Sequence, residues 1–300
     1  MAILLPKGIP AAASLRGEGL TVFEKETRRP AGQEGAVRIA LLNLMPTKEA
    51  TETQLSRVLA AGDMLVDVTL LRTASYESKN TAQEHLDRFY LTFEEVRDLC
   101  FDGLIVTGAP VEMLEFEQVD YWPELVRIMD RARETRLPAY YICWAAQAAL
   151  YHFHGVHKYP LPAKCFGIFE HRAVKRTHPL LRGVDHPFPA PHSRHTEVRA
   201  ADIENAQGVE MLALSDIAGA YLAASADGLN VYVTGHSEYD ADTLKKEYDR
   251  DVSRGLEIAV PYHYYPDDDP SREPPLIWRA HSVQIYQSWL KNIVCPKAVR

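Results

Sequence analysis

The sequence lacks paired cysteines, long apolar runs and an excess of positive charge. Its four cysteines, at positions 100, 143, 165 and 295, form no CxxC pair. This scattering indicates neither a zinc site nor a disulfide framework, and it favours reduced thiols and a cytoplasmic location. No apolar run approaches the length of a membrane span, and the first residues lack the basic and apolar regions of a signal peptide. We therefore expect no membrane association.

The charge and the composition further narrow the class of protein to which this chain can belong. The formal net charge is −8, so nothing in the chain as a whole favours nucleic acid as a partner. With 46% hydrophobic and 25% charged residues, and without repeats or low-complexity tracts, the composition is typical of a globular protein. No linker composition divides the 300 residues. We expect one domain over residues 1–300, with an N-terminal extension (1–35), an α/β core (36–255) and a C-terminal loop and helix (256–300).

Hydrophobic strands alternate with amphipathic helices in the first half of the chain. The near-continuous apolar run Val37–Met45 is typical of a strand buried on both faces of a parallel sheet. One of the helices is predicted over residues 82–99. The alternation predicts a doubly wound, mostly parallel α/β sheet over residues 36–155. Short strands follow in the second half, including Ile168–Val174 and Thr196–Arg199, and they predict a mixed or antiparallel extension.

Three loops follow hydrophobic strands and contain candidate functional groups. They are TGAPVE after Leu104–Val106, CWAAQ after Tyr140–Ile142, and GHSEYD after Val231–Thr234. In open α/β sheets, ligands bind at the carboxyl ends of the strands. We therefore expect the three loops to meet at one edge of the sheet.

Cys143 lies where a predicted strand runs directly into a predicted helix. At a helix N-terminus, the backbone N–H groups and the helix dipole favour a thiolate. Ala145 and Ala146 follow, and such small side chains let the turn pack closely and leave room above the sulfur. The pattern is typical of a nucleophile elbow with cysteine in place of serine. An ordinary buried cysteine is the alternative.

A histidine and a glutamate in the third loop, GHSEYD, can activate the Cys143 thiol by accepting its proton. His236 and Glu238 are two residues apart, so in an extended segment their side chains leave on the same side. The carboxylate can then orient the imidazole while the ring takes a proton from a thiol, although a solvated turn is the alternative. Gly108 permits close backbone approach, and an N–H there can pair with that of Trp144 as an oxyanion hole. We predict a Cys–His–Glu triad.

Other polar clusters do not indicate a site. The histidines at 152, 154 and 157 lack the i, i+4 separation and a nearby carboxylate, so we expect no metal. PDDDP lacks the spacing of a calcium loop. The charged helix around LKKEYDRD is expected to present a mostly solvated face.

Ten motifs are distributed over nearly the whole chain: NLMPTK at 43–48, ETQL at 52–55, LRTASYESKN at 71–80, DGLIVTGAPVE at 102–112, CWAAQAALYHF at 143–153, PLPAKCFGIFEHR at 160–172, HPLLRG at 178–183, APHSRHTEV at 190–198, VTGHSEYDADTL at 233–244 and PDDDP at 266–270. Together they resemble the homoserine O-acyltransferases, which include O-succinyltransferases and O-acetyltransferases. The resemblance implies a flavodoxin-like sheet of the class I glutamine amidotransferase type and a homodimer. It also implies L-homoserine and acyl-CoA as substrates, without a bound cofactor.

The resemblance also assigns roles to individual residues. The family's acyl-carrying cysteine, its proton-accepting histidine and its supporting glutamate match the Cys–His–Glu trio predicted above. Its homoserine-binding residues match Lys164 in PAKCFG, Ser193 in APHSRH, and Arg250 on the helix after GHSEYD. A guanidinium suits an α-carboxylate, and a hydroxyl and an ammonium supply further donors. Ser237 stands where the family usually has proline, which removes a rigid φ between the histidine and the glutamate.

One position bears on the acyl donor. Family members that use acetyl-CoA tend to have glutamate where users of succinyl-CoA have glycine, and this chain has Glu112. A carboxylate there would fill space and repel a succinyl carboxylate. The expected reaction is acetyl transfer from acetyl-CoA to the γ-hydroxyl of L-homoserine through acyl-Cys143, with ping-pong kinetics. Succinyl-CoA as donor, serine as acceptor, a glutamine amidase and a non-catalytic binding protein are the alternatives.

Overall fold

The computed structural model describes residues 1–27, 35–76 and 81–296, so the last four residues of the LRTASYESKN motif lie outside it. The strands in these ranges are β1 (Ala2–Pro6), β2 (Thr21–Lys25), β3 (Val37–Leu42), β4 (Leu65–Arg72), β5 (Tyr90–Thr92), β6 (Gly103–Val106), β7 (Ala139–Ile142), β8 (Lys158–Ala173), β9 (Phe188–Val198), β10 (Val209–Ser215), β11 (Gly219–Ser225) and β12 (Asn230–Val233). The helices are α1 (Pro10–Gly17), α2 (Lys48–Ala60), α3 (Gln83–Phe89), α4 (Trp122–Glu134), α5 (Trp144–His154), α6 (Ala200–Asn205), α7 (Thr243–Ser253) and α8 (Arg279–Trp289). None of the described helices is long and apolar enough to cross a membrane.

The described strands form one twelve-stranded sheet with a parallel part and an antiparallel part. Its order is β2-β1-β4-β3-β6-β7-β12-β11-β10-β8-β9, and β5 pairs with β4. The pairs from β2 to β12 along this order are parallel, and β4 and β5 are also parallel. From β12 onwards every pair is antiparallel. The predicted parallel sheet with an antiparallel extension is therefore confirmed.

The strand β3 is buried on both faces, as its apolar run predicts. Ile39 and Leu41 belong to a core cluster that also contains residues of α1, α2 and α8. Ala40 and Leu42 belong to a second cluster, together with residues of α4, α5 and α6. Because successive side chains of a strand point to opposite faces, this apolar run supplies both cores. Full burial of such aliphatic side chains contributes about 1.5–3 kcal/mol each.

The sheet begins earlier in the chain than the predicted core boundary at residue 36. Strand β1 pairs with β4 from Ala2↔Leu65 and with β2 from Ala2↔Thr21. The N-terminal extension therefore belongs to the edge of the core sheet. A buried ion pair joins Lys25 on β2 to Asp67 on β4, across the intervening strand β1. Its partners are 42 residues apart, so no local pattern indicates it.

The helix predicted over residues 82–99 ends at Phe89. The next three residues form β5, with Leu91 opposite Leu71 of β4. The hydroxyl of Tyr90 donates to the buried carboxylate of Glu52 at 2.6 Å, which anchors this strand. Tertiary pairing thus overrides the local helical pattern.

The antiparallel extension contains strands longer than those predicted. β8 and β9 form a hairpin in which Phe166 pairs with Ser193 and Ile168 with Pro191. The strands predicted at Ile168–Val174 and Thr196–Arg199 are only the ends of these two elements. The hairpin lies beside the carboxyl edge of the parallel sheet, because the N–H of His236, in the loop after β12, donates to the carbonyl of Pro191 on β9 at 2.8 Å.

Candidate active site

Cys143 occupies a strained turn between β7 and α5. Its φ is 53° and its ψ is −115°, a conformation that costs a non-glycine residue on the order of 1–3 kcal/mol. Its backbone N–H donates to the carbonyl of Val233 at 2.6 Å, and its own carbonyl accepts from Ala146 and Gln147 in the first turn of α5. The predicted junction is therefore present, and the thiol lies at the N-terminal end of the helix. This is the geometry of a nucleophile elbow.

His236 and Glu238 are in direct contact in the loop after β12. The Nδ1 atom of His236 lies 2.7 Å from Oε1 of Glu238, and both side chains are buried. The segment is a tight turn rather than the extended strand assumed for the pair, since the N–H of Tyr239 donates to the carbonyl of His236 at 3.2 Å. The contact forms with Ser237 between the two residues, so a proline is not required for it.

Gly108 lies against both the nucleophile and the histidine. A Cβ atom on Gly108 would lie 3.1 Å from Cβ of Cys143 and 3.5 Å from Cε1 of His236. The three loops therefore meet at one edge of the sheet. The N–H groups at the start of a helix have no acceptor within the helix, so that of Trp144, the residue after Cys143, can donate to a ligand. The oxyanion hole of Gly108 and Trp144 stays a prediction.

The electrostatics of this cluster favour a protonated imidazole. Burial opposes a charged ring, but the interactions with Cys143 and Glu238 outweigh it and raise the pKa of His236 well above its ordinary value of 6.5. The Cys143 sulfur is also a hydrogen-bond partner of this ring. His236 can thus hold a proton between the sulfur and the carboxylate.

The three residues expected to bind homoserine converge on a glutamate that the sequence did not indicate. Nζ of Lys164 lies 2.6 Å from Oε1 of Glu247, and the Ser193 hydroxyl is 2.9 Å from both Glu247 oxygens. Nη2 of Arg250 lies 3.8 Å from Oε1 of Glu247 and 2.7 Å from Oδ1 of Asp251. The face of α7 that was expected to be solvated therefore contains a polar cluster, in which Asp251 is only 6% exposed.

Tyr239 lies against the buried histidine and is acted on by the charge of the polar cluster. Its ring stacks on that of His236, with centroids 4.2 Å apart and an angle of 13° between the planes. Burial raises the pKa of Tyr239 well above its ordinary value, and the nearby negative charges of Glu247 and Glu238 raise it further. Tyr239 thus contacts the histidine of the trio and is acted on by the charge of the polar cluster, and the sequence did not indicate this residue either.

Glu112 faces the same region from the loop after β6. Its Oε2 atom lies 3.5 Å from the hydroxyl oxygen of Thr196, which is 2.9 Å from Oε1 of Gln147 on α5. Its charge also acts on Tyr239. Glu112 is therefore linked through Thr196 to the first turn of α5, and its contact with an acyl group and its influence on the donor stay predictions.

The other cysteines differ from Cys143. Cys100 is exposed, and burial raises the pKa of the Cys165 and Cys295 thiols. A raised pKa disfavours the reactive thiolate. Within residues 1–27, 35–76 and 81–296, no group of three or more His, Cys, Asp or Glu side chains is arranged to hold a metal ion.

Comparison with known proteins identifies the family. A sequence profile described as homoserine O-succinyltransferase matches residues 2–299. This chain belongs to that family. It is 52% identical to a homoserine O-acetyltransferase of Brevibacillus brevis over 294 residues, which cover 98% of this chain and 96% of the relative. A homoserine O-acetyltransferase of Acetivibrio thermocellus is 50% identical over the same length, with the same coverage of both chains.

Solved structures show the fold. A glutamine amidotransferase of Thermotoga maritima aligns with a TM-score of 0.54 at 12% identity, covering 86% of this chain and 98% of its own. A glutamine amido transferase of Methylobacillus flagellatus aligns with a TM-score of 0.55 at 14% identity, covering 87% and 96%. The predicted class I glutamine amidotransferase type of fold is confirmed. At this identity the likeness concerns the fold alone.

Proposed function

We propose that this protein transfers an acetyl group from acetyl-CoA to the γ-hydroxyl of L-homoserine, giving O-acetyl-L-homoserine for methionine biosynthesis. The observation that carries the proposal is Cys143 on a strained elbow beside the paired side chains of His236 and Glu238. The relatives of about 50% identity, which are named homoserine O-acetyltransferases, support the choice of substrates.

The first half-reaction forms an acyl-enzyme. The Cys143 sulfur attacks the thioester carbonyl, and the N–H groups of Trp144 and Gly108 stabilise the resulting oxyanion. The carbon–sulfur bond to CoA then breaks. The proton held by His236 passes to the departing CoA sulfur, so free CoA leaves and the acetyl group stays on Cys143.

The second half-reaction transfers the acetyl group to homoserine. His236 takes the proton from the γ-hydroxyl while that oxygen attacks the acyl-enzyme carbonyl, and the Cys143 sulfur leaves. Arg250 suits the α-carboxylate of the amino acid because a guanidinium offers two parallel donors. Lys164 and Ser193 supply further donors, and the negative charge of Glu247 suits the α-ammonium group.

Glu112 supports the choice of acetyl-CoA rather than succinyl-CoA as the acyl donor. A succinyl group carries a free carboxylate that an acetyl group lacks, and Glu112 and Glu238 already place negative charge around Tyr239, which stacks on His236. Like charges in a partly buried site repel, so acetyl-CoA is the better substrate. A cytoplasmic location and a homodimer belong to the same proposal, and light scattering of the purified protein tests the dimer.

Intact-protein mass spectrometry without an acceptor tests this function. The protein is mixed with acetyl-CoA or with succinyl-CoA, beside a Cys143→Ala control. An acetyl adduct that is absent from the control is expected. A succinyl adduct would overturn the choice of donor but keep the mechanism. No adduct with either donor, together with ammonia release from glutamine, would instead favour a glutamine amidase.

A further inference from the structure

A cavity lies over the carboxyl ends of β4, β3 and β6, beside the Cys–His–Glu trio. It comprises about 600 Å³ of empty space, and this volume includes open solvent at its mouth. Most of its wall is apolar or aromatic, and one part of it is cationic. The residues that matter here are Met45, Pro110, Val111, Tyr121, Lys48 and Arg72. Neither Cys143 nor His236 lines this cavity, so the reaction chemistry described above does not account for it.

The loop after β6 connects the cavity to the nucleophile. Gly108 adjoins Cys143 at one end of this loop, and two residues later Pro110 and Val111 line the cavity. The hydroxyl of Thr107 accepts from the N–H of Leu44 at 2.7 Å, which joins the loop after β3 to the same wall. Because β3, β6 and β7 are neighbours, a ligand with its reactive end at Cys143 can extend along this edge into the cavity.

The cationic part of the cavity is incompletely neutralised. Lys48 is 6% exposed and donates to the carbonyls of Asn43 and Met45 at 2.5 and 3.3 Å. The Arg72 side chain is 27% exposed, and its contact with Asp87 is long, at 3.9 Å. Its Nε atom is buried without a hydrogen-bond partner among the described residues. An unused buried donor on a cation is costly unless a ligand accepts from it.

The two cations also act on each other. Burial is the main reason that the pKa of Lys48 is lowered to about 8; the charge of Glu52 opposes the shift, and that of Arg72 adds to it. Glu52 is already engaged by His85 and by the Tyr90 hydroxyl. An anion bound between the two cations would relieve their repulsion.

We propose that this cavity binds the pantetheine arm and a phosphate group of acyl-CoA, with Arg72 as the phosphate contact. The inference rests on the acyl-CoA substrate of the proposed function. The pantetheine arm is a mostly aliphatic chain with two amide groups, which fits a wall of Met45, Pro110, Val111 and Tyr121. The phosphates of CoA are anions whose oxygens match the donor fork of a guanidinium.

Equilibrium binding tests the site apart from catalysis. Free CoA and pantetheine are titrated calorimetrically into the Cys143→Ala protein, with and without Arg72→Gln. The affinity for CoA is expected to fall roughly tenfold or more with Arg72→Gln, because a charge-assisted hydrogen bond is lost. The affinity for pantetheine, which has no phosphate, should not change. Arg97→Gln, at an exposed arginine paired only with Glu94 in the described residues, is the matched control.

Two other results of these titrations would overturn the proposal. Unchanged CoA affinity in Arg72→Gln, or an equal loss for pantetheine, would overturn the phosphate contact. Binding of inorganic phosphate that depends on Arg72, without binding of CoA, would make the cavity a site for a free anion and would also overturn the proposal. Circular dichroism and thermal unfolding of each variant establish that it is folded.

A second pair of donors separates this inference from the proposed function. Acetylation of Cys143 is followed with acetyl-CoA and with S-acetyl-N-acetylcysteamine, a thioester without phosphate. Arg72→Gln should slow the first reaction and leave the second unchanged. If neither donor acetylates the protein with an intact Cys143, the proposed function fails, while CoA binding to Cys143→Ala still decides whether the cavity binds CoA.

Discussion

Gly108 lies so close to Cys143 that a Cβ atom on the glycine would be 3.1 Å from the Cβ of the cysteine. A contact this short is tolerated only if a neighbour moves, and the elbow cannot move easily because its backbone is already strained. The absence of a side chain at residue 108 thus leaves space beside the thiol, where the proposed reaction would form its tetrahedral intermediate.

Gly108→Ala should therefore impair acylation more than folding. The added methyl group displaces the thiol or the acyl group, and we expect the rate of Cys143 acetylation to fall about tenfold or more, as for a misplaced reacting group. The rate is measured by quenched-flow mass spectrometry. Gly17→Ala is the control, since a Cβ on Gly17 has no atom within 4 Å. Equal rates in the two variants would show that the contact at Gly108 is not important.

The raised pKa of His236 predicts a pH-dependent stability. A group whose pKa is higher in the folded than in the unfolded state stabilises the protein fully below its unfolded value, about 6.5, and this contribution is lost as the pH rises through the folded value. Glu238→Gln removes one of the charges that hold this proton. The loss of unfolding free energy caused by Glu238→Gln should therefore be largest near about pH 6 and smaller at alkaline pH.

Urea unfolding of the wild type and of Glu238→Gln at both ends of this range gives the comparison. Glu170→Gln, at an exposed position, is the control for a change of net charge. A loss that does not depend on pH would mean that the carboxylate does not act through the proton on His236. The chemical shift of the His236 ring protons reports the same pKa directly.

Glu247 is expected to matter for homoserine and not for the acyl donor. It accepts hydrogen bonds from Ser193 and pairs with Lys164, and its charge can bind the ammonium group of the amino acid. Glu247→Gln keeps the shape and removes the charge. The KM for homoserine should rise about tenfold or more, while Cys143 acetylation without homoserine should be unchanged. Asp249→Asn on the same helix, at an exposed pair with Lys245, is the control.

The residues that the sequence indicated and those it missed differ in where their partners lie. Cys143 was indicated because its strand and its helix are contiguous in the chain, and His236 and Glu238 because they are two residues apart. Glu247 was missed because its partners are 54 and 83 residues away, so no local spacing indicates the contact. Tyr239 was missed for another reason: its stacking partner His236 is only three residues away, but the sequence predicted an extended segment there and not the turn that brings the two rings together.

The fold shows the same division between local and long-range information. The apolar run of β3 sufficed to predict a strand buried on both faces. The local pattern predicted one continuous helix through residue 90. The chain instead changes from α3 to β5 there, where the Tyr90 hydroxyl donates to Glu52, 38 residues away. Local periodicity was thus sufficient to predict the parallel core. The element boundaries that depend on distant partners could be seen only in the structure.

The effect of Glu112 on the donor can be divided into charge and volume. Glu112→Gln removes the charge and keeps the size, whereas Glu112→Gly removes both. If repulsion excludes the succinyl group, Glu112→Gln alone should yield a succinyl adduct on Cys143, and Glu112→Gly should yield more of it. Intact mass after mixing with succinyl-CoA measures both. A succinyl adduct confined to Glu112→Gly would assign the exclusion to volume, and none in either variant would contradict the role of this residue.

Asp240 joins the turn after His236 and Glu238 to helices α2 and α8. Nη1 of Arg57 lies 2.5 Å from its carboxylate, and Nη2 of Arg279 donates to the same oxygen at 3.1 Å. Arg57 also makes two contacts with Glu18, at 2.5 and 2.6 Å. Asp240→Asn leaves two partly buried cations facing each other. We expect the free energy of unfolding to fall by about 1–3 kcal/mol and kcat to fall as well, because Glu238 is only two residues away.

Chemical denaturation and steady-state kinetics measure these two effects on the same protein. Asp242→Asn is the matched control, because its pair with Lys246 is largely exposed and contributes at most about 0.5 kcal/mol. A loss of stability with an unchanged kcat would show that Asp240 joins the helices without positioning the turn. A parallel loss of both, absent from the control, would show that the ion pairs with α2 and α8 also hold His236 and Glu238 in place.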